Sequence, residues 1–169
     1  MPEQHLQRTE RLAAVTQQVG FALWQLQALE AGAAQYVVLL VQATQGMGRT
    51  AGEALVEKAQ GRTFGTTLQQ LAKAKLLDDD LAPRFSRLLG ERNWLVHRSR
   101  ADSRGAIESD GAAQKLLRRI EAIADEAEAL MGAIRTLAER FVRERGVSIQ
   151  DIDAATQQLL QQWQNADVS

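Results

Sequence analysis

The sequence predicts an all-α protein on three observations. Strong helix formers, mainly alanine, leucine, glutamine, glutamate and arginine, dominate the 169 residues. Only two residues are proline, and the β-branched and aromatic residues that favour strands are thinly scattered. Apolar residues recur every three or four positions over long stretches, as on the buried face of a helix. With 45% apolar residues a core can form, and we expect a single domain over 1–169, an antiparallel helical bundle.

The apolar period divides the chain into predicted helices. Gly20 and Gly32 interrupt the first of them, so the sequence leaves open whether that segment is one helix or two. The polar stretch 98–109 contains Gly105 and is expected to be a loop. Helices are predicted at 5–44, 51–60, 63–75, 80–98, 110–145 and 148–163.

Several helix ends carry capping residues. The acidic run 78–80 precedes one helix, where carboxylates accept the free backbone N–H groups. Gly146 is placed to end the long helix, and 148–151 resembles a capping box that opens the last one. The long helix also carries an apolar seam over 120–141, suited to packing along another helix of this chain or of a second subunit.

The bulk composition narrows the classes of function. A net charge of −1 argues against general polyanion binding, so any nucleic-acid contact requires a local basic patch. The absence of cysteine excludes disulfides and thiolate chemistry and fits a reducing, cytoplasmic setting. The first residues lack the apolar run of a signal peptide, and the longest apolar stretch, 36–41, is too short to span a membrane. With His5 and His97 as the only histidines, we expect no metal and no cofactor.

Arg92 breaks the pattern of the helix that contains it. Leu81, Phe85, Leu88 and Leu95 form its apolar stripe, and position 92 completes that stripe with an arginine. Arginine is almost never buried without a partner. A carboxylate, a water-filled cleft or a bound anion must therefore compensate its charge.

Asn93 and His97 lie four residues apart on a neighbouring face of the same helix. Ser86 and Gly90 share that face, and such small residues allow another helix or subunit to approach closely. On an ideal helix His97 lies about 140° from Arg92, so the two side chains converge only through the length of the arginine or through a loosening of the helix near its end.

The same region is rich in arginine. Only Glu91 and Asp102 oppose these charges within 84–104, so the patch is suited to a phosphate backbone. A solvated surface is the plainer interpretation, with His97 as an ordinary residue at a helix end and Trp94 as a packing residue. The candidate RNA-binding residues are Arg84, Arg87, Arg98, Arg100 and Arg104.

The stretch 91–98, ERNWLVHR, resembles the signature of the HEPN superfamily (higher eukaryotes and prokaryotes nucleotide-binding). That signature is an arginine, then four to six residues of which the first is often polar, and then a histidine. Arg92, Asn93 and His97 match it here. The resemblance implies an all-α dimer in which two motifs meet in a cleft. It further implies a metal-independent endoribonuclease, often a toxin or a defence effector, with an antitoxin or regulatory protein as a partner.

The resemblance also implies roles for individual residues. His97 would act as general base or acid, and Arg92 would stabilise the negative charge that develops on the phosphoryl group. Asn93 would orient the histidine or hydrogen-bond the phosphate. Cleavage would leave a 2′,3′-cyclic phosphate. Some members place an acidic residue near the motif, and Glu30 is the candidate here. A non-catalytic RNA- or nucleotide-binding or protein-interaction module, or a purely structural helical dimer, remains the alternative.

Overall fold

A computed structural model describes residues 2–44 and 46–166, and within these ranges the chain is helical with no strand. This confirms the all-α prediction. The elements, in chain order, are α1 (Pro2–Val37), a π-helical turn (Val38–Gln42), α2 (Arg49–Gln60), α3 (Phe64–Lys73), α4 (Leu81–His97), α5 (Ser99–Asp102), a 3₁₀ turn (Ala106–Glu108), α6 (Asp110–Glu144) and α7 (Ile149–Ala166).

The first predicted segment forms one α-helix that ends in a π-helical turn. Gly20 does not break it, and a Cβ atom there would have no neighbour within 4 Å. Packing explains the glycine at position 32, because a Cβ atom there would lie 2.7 Å from the side chain of Met131. The glycine therefore leaves room for the flexible end of the Met131 side chain, which comes from α6. The π turn closes where the Ala43 amide donates to the Val38 carbonyl at 2.8 Å.

Side chains accept the free backbone N–H groups at the starts of α3 and α4. Asp78 Oδ1 accepts hydrogen bonds from the backbone N–H groups of Leu81 at 2.8 Å and Asp80 at 3.2 Å. The first residue of the acidic run thus accepts backbone N–H groups at the start of α4, whereas the N-cap residue Asp80 makes no side-chain cap bond. Thr63 caps α3 by accepting a bond from the Thr66 amide.

The prediction of a loop over 98–109 was wrong. Helical bonds continue past α4, since the Asp102 amide donates to the Arg98 carbonyl at 2.9 Å. Ser99 adds a bond from Oγ to the Leu95 carbonyl at 2.6 Å. The polar composition of the segment led to the loop prediction, but short helical turns require only hydrogen bonds between backbone groups three or four residues apart.

Residues 1–134 form one compact unit and residues 135–169 a second. The core of the first unit contains the predicted α4 stripe, since Leu81, Phe85, Leu88 and Leu95 are all buried. Burying one leucine or phenylalanine side chain contributes about 1.5–3 kcal/mol before the entropy of ordering it is subtracted. The largest fully buried side chains are Phe85, Leu26, Leu29, Leu71, Ile120, Leu130 and Val37.

The second unit contains the end of α6 and all of α7. Gly146 has a φ of +83°, a conformation that favours glycine, and it ends α6 as predicted. Ser148 and Asp151 then form the predicted capping box. The Asp151 amide donates to Ser148 Oγ at 3.1 Å, and Asp151 Oδ2 accepts from the Ser148 amide at 3.3 Å. The Ser148 hydroxyl also donates to Asp151 Oδ2 at 2.6 Å, and this bond, together with that from the Ser148 amide, lowers the pKa of the Asp151 carboxyl. Within the ranges described, no helix has the length and apolarity to cross a bilayer.

Candidate active site around Arg92 and His97

Arg92 is held by Glu30. Its Nε donates to Glu30 Oε1 at 3.0 Å, and the two side chains are 29% and 25% exposed. The carboxylate comes from α1, 62 residues earlier in the chain. An arginine in an apolar stripe needs such a counter-charge, because leaving it unpaired costs several kcal/mol, roughly 3–5 in buried pairs. The ion pair explains how the α4 stripe accommodates a charged residue.

The same guanidinium reaches toward the solvent side of the helix. Arg92 Nη1 donates to Asn93 Oδ1 over 3.4 Å, at the exposed surface. One end of the group therefore faces α1 and the other faces the neighbouring surface of α4. Asn93 is thus the motif residue that the Arg92 guanidinium contacts.

His97 shares an exposed strip of α4 with Ser86, Gly90 and Asn93. The four residues are spaced by four, three and four positions, which places them on one face. A Cβ atom at Gly90 would have no neighbour within 4 Å. Around Gly90, no part of the described chain therefore covers this strip, which we call the α4 strip.

The structure brings some of the predicted site residues together and leaves others apart. Glu30, Arg92 and Asn93 form one connected group. His97 is the last residue of α4 and is exposed. In the part of the chain described, no hydrogen bond or ion pair joins His97 to Arg92.

Arg84 is engaged by a carboxylate that sequence reasoning missed. Its Nε and Nη2 donate to the two carboxylate oxygens of Glu126, both at 2.8 Å. This two-pronged hydrogen bond raises the pKa of Arg84 and lowers that of Glu126. Because both prongs are used, Arg84 offers less of its charge to a phosphate than the sequence suggests.

The other arginines of the patch remain near solvent. Arg98 is 72% exposed and lies 3.6 Å from Asp102, a weak pair at a surface. The exposed side chains of Arg87, Arg100 and Arg104 complete the set. The basic patch therefore consists of these four exposed arginines, without Arg84.

Trp94 is a packing residue, as the plainer interpretation held. Its Nε1 donates to Asp102 at 3.0 Å, and the Arg119 guanidinium lies 3.4 Å above the ring. Arg119 also donates to both oxygens of Glu91, at 2.9 and 3.1 Å. One face of the indole is thus covered by α6, which leaves it poorly placed to stack on a nucleobase.

The missed partners share a physical reason. Glu126 lies 42 residues from Arg84, and Arg119 lies 28 residues from Glu91. No local pattern indicates contacts at such separations, since helical periodicity shows only on which face of its own helix a residue lies. Among the described residues, no group of three or more histidine, aspartate or glutamate side chains is placed to hold a metal ion.

Comparison with known proteins gave no match to any family model, curated protein or solved structure.

Proposed function

We propose that this chain is a metal-independent endoribonuclease of HEPN type, acting through His97, Arg92 and Asn93. One observation carries the proposal. A guanidinium anchored by Glu30 at 3.0 Å reaches the exposed surface where Asn93 and His97 lie. An anchored cation and an accessible imidazole on the same helix are the two kinds of group that metal-independent phosphodiester cleavage uses.

The reaction begins at the ribose 2′-hydroxyl. His97 accepts its proton as the 2′-oxygen bonds to phosphorus, and the bond to the 5′-oxygen of the next nucleotide breaks. The departing oxygen takes up a proton, from water or from a second imidazole. The products are a 2′,3′-cyclic phosphate and a free 5′-hydroxyl. Proton transfer of this kind typically contributes about 10²- to 10⁴-fold in rate.

Arg92 stabilises the charge that accumulates on the phosphoryl oxygens. The ion pair with Glu30 holds Nε, and the contact with Asn93 directs Nη1 toward the surface. A cation whose orientation is fixed before the reaction loses little energy to reorganisation when charge develops. Glu30 is therefore a positioning residue in this proposal.

The RNA backbone is proposed to lie along the exposed arginines near the strip. Arg87, Arg98, Arg100 and Arg104 supply this contact, and Arg84 contributes least because Glu126 holds it. Each phosphate contact makes binding weaker as the salt concentration rises. Affinity that is insensitive to salt would contradict this part of the proposal.

The first test is RNA cleavage by the purified chain in the presence of EDTA. His97→Ala should abolish cleavage, whereas His5→Ala, which removes the other exposed histidine, should leave it unchanged. Thermal unfolding must show that both variants remain folded. Analysis of the new ends should find the cyclic phosphate. Cleavage that survives His97→Ala would overturn the proposal, and binding without any cleavage would favour the non-catalytic module.

We further propose that two copies pair through the α4 strip, bringing two motifs into one cleft. The open space at Gly90 supports this arrangement, because a helix of a second copy can approach a glycine closely. In the cell, an antitoxin or regulatory protein would cover the same cleft.

A bulky residue on the strip tests the dimer. Gly90→Trp should yield a monomer that no longer cleaves RNA, since the ring fits this chain but fills the space of the partner. Gly111→Trp, at another exposed glycine with no neighbour within 4 Å, is the control. Sedimentation measures the mass of each variant. A wild-type monomer at all concentrations, or a dimeric Gly90→Trp protein, would exclude this interface.

A further inference from the structure

A half-open cavity of about 250 Å³ lies in the first unit, beside Glu30. Its apolar part comes from Phe64 and three alanines of α1 and α2. This size falls just below the roughly 300–1,000 Å³ of pockets that take drug-sized ligands. It suits one planar ring system better than a whole nucleotide. The polar lining residues are Gln27, Glu30, Gln60, Arg62 and Thr67.

Arg62 lines this cavity and also carries an unsatisfied donor. Its Nη1 is buried and has no hydrogen-bond partner among the described residues. The backbone there is fixed, because the Arg62 amide donates to Ala59 and the next residue, Thr63, caps α3. A buried donor without an acceptor costs about 1–3 kcal/mol, and more when it is charged. A ligand that offers an acceptor to Arg62 removes this cost.

Glu30, by contrast, offers the cavity a hydrogen-bond acceptor. Its Oε1 accepts the bond from Arg92, and no described residue donates a hydrogen bond to Oε2. An ionised carboxylate only accepts hydrogen bonds. A ligand that fits the cavity therefore presents acceptors toward Arg62 and donors toward Glu30.

We propose that this cavity binds a guanine base. Guanine carries two acceptors, O6 and N7, on one edge, and arginine is the side chain that most often reads them. Its N1–H and N2–H donors lie together on the next edge and match a carboxylate. Adenine places a donor beside N7, and uracil carries one N–H between two carbonyls, so neither offers two acceptors to Arg62 together with two donors to Glu30. The sugar and phosphate would lie outside the cavity, in solvent.

Calorimetric titration with 5′-GMP, 5′-IMP and 5′-AMP tests the proposal, since none of these contains a cleavable phosphodiester bond. GMP should bind most tightly. IMP lacks the N2 donors, and AMP has a donor at position 6 and an acceptor at N1 where GMP has the opposite, so each should bind more weakly. One well-formed two-pronged contact to a base corresponds to about 5- to 150-fold in affinity. Equal affinity for GMP and AMP, or no binding of GMP, would overturn the proposal.

Substitutions at Arg62 locate the binding. Arg62→Met keeps the apolar stem and removes the donors, so both the affinity for GMP and its preference over AMP should fall. Arg118→Met removes the same charge from an exposed position outside the cavity, and it should leave both unchanged. Arg62→Lys keeps a charge without the planar fork, and it should lose the preference even if the methionine variant does not fold. Unchanged GMP binding in a folded Arg62 variant would reject this cavity.

The guanine could belong to a free nucleotide or to an RNA strand, and a further titration separates the two. The His97→Ala protein is titrated with a short oligoadenylate and with the same strand containing one guanine. Stronger binding of the guanine strand assigns the cavity to RNA, and binding of GMP alone assigns it to the nucleotide. These titrations do not depend on cleavage. Guanine binding in a protein that never cuts RNA rejects the proposed function alone, and cleavage without guanine preference rejects the cavity alone.

Discussion

At the scale of single residues, Arg92 shows what a sequence can and cannot reveal. Its place in an apolar stripe required a compensating group, and the structure places Glu30 at 3.0 Å. The requirement follows from the helical period alone. The choice of partner does not, because the chain has 21 acidic residues and the contact spans 62 positions. Arg62 was missed altogether, since its significance lies in a cavity rather than in any local pattern.

A double-mutant cycle measures the coupling between Arg92 and Glu30. The variants are Arg92→Met, Glu30→Gln and their combination, each unfolded in urea. Both side chains are mostly buried, so the coupling should lie between that of surface pairs and that of buried ones, at about 1–2 kcal/mol. The control is the Arg8–Glu108 pair, whose side chains are 55% and 56% exposed, with an expected coupling under about 1 kcal/mol. Equal couplings in the two pairs would show that Glu30 does not anchor the guanidinium.

At the scale of elements, helix existence was predictable and helix contacts were not. The helix predicted over 110–145 is observed as Asp110–Glu144, and that predicted over 80–98 as Leu81–His97. Both carry a long apolar period and clear capping residues, which are local features. The segment 98–109 has neither, so its short helical turns escaped prediction. The ion pairs between α4 and α6 escaped for the same reason, because they join distant residues.

The Arg84–Glu126 pair between α4 and α6 predicts a response to acid. Glu126 has a lowered pKa in the folded protein, chiefly through its hydrogen bond with Arg84. A carboxyl with a lowered folded pKa stabilises the protein above its unfolded pKa, and this contribution is lost as the pH falls through the folded value. The free energy of unfolding should therefore drop below pH 4.5, the ordinary value of this carboxyl. Glu126→Gln should remove that part of the drop.

Urea unfolding across a pH series measures this effect. Exposed Glu128 lies two residues further along α6, and Glu128→Gln should keep the wild-type decrease. About one third of each side chain in the Arg84–Glu126 pair is exposed, so salt should weaken the effect. An acid response that is identical in the wild type and in Glu126→Gln would mean that the pair adds nothing to stability.

At the scale of the whole molecule, the buried core lies within the first unit. Among the residues whose side chains the structure describes, every buried hydrophobic residue falls between Ala22 and Ile134. The ion pair of Arg92 and the cavity beside Glu30 belong to the same range. A chain needs its own core to fold alone. Residues 1–134 therefore have what independent folding requires.

A truncated chain ending at Ile134 should accordingly fold with a single cooperative urea transition and high helix content by circular dichroism. It should also bind GMP as the full chain does if the cavity proposal holds, because no lining residue is removed. A chain ending at Ser109 is the matched control. It lacks α6, whose Ile120, Ile123 and Leu130 are buried, and removing one such side chain typically costs about 2–5 kcal/mol. The shorter chain should therefore not fold. A broad, non-cooperative transition in the 1–134 chain would instead show that residues 135–169 are needed to stabilise the core.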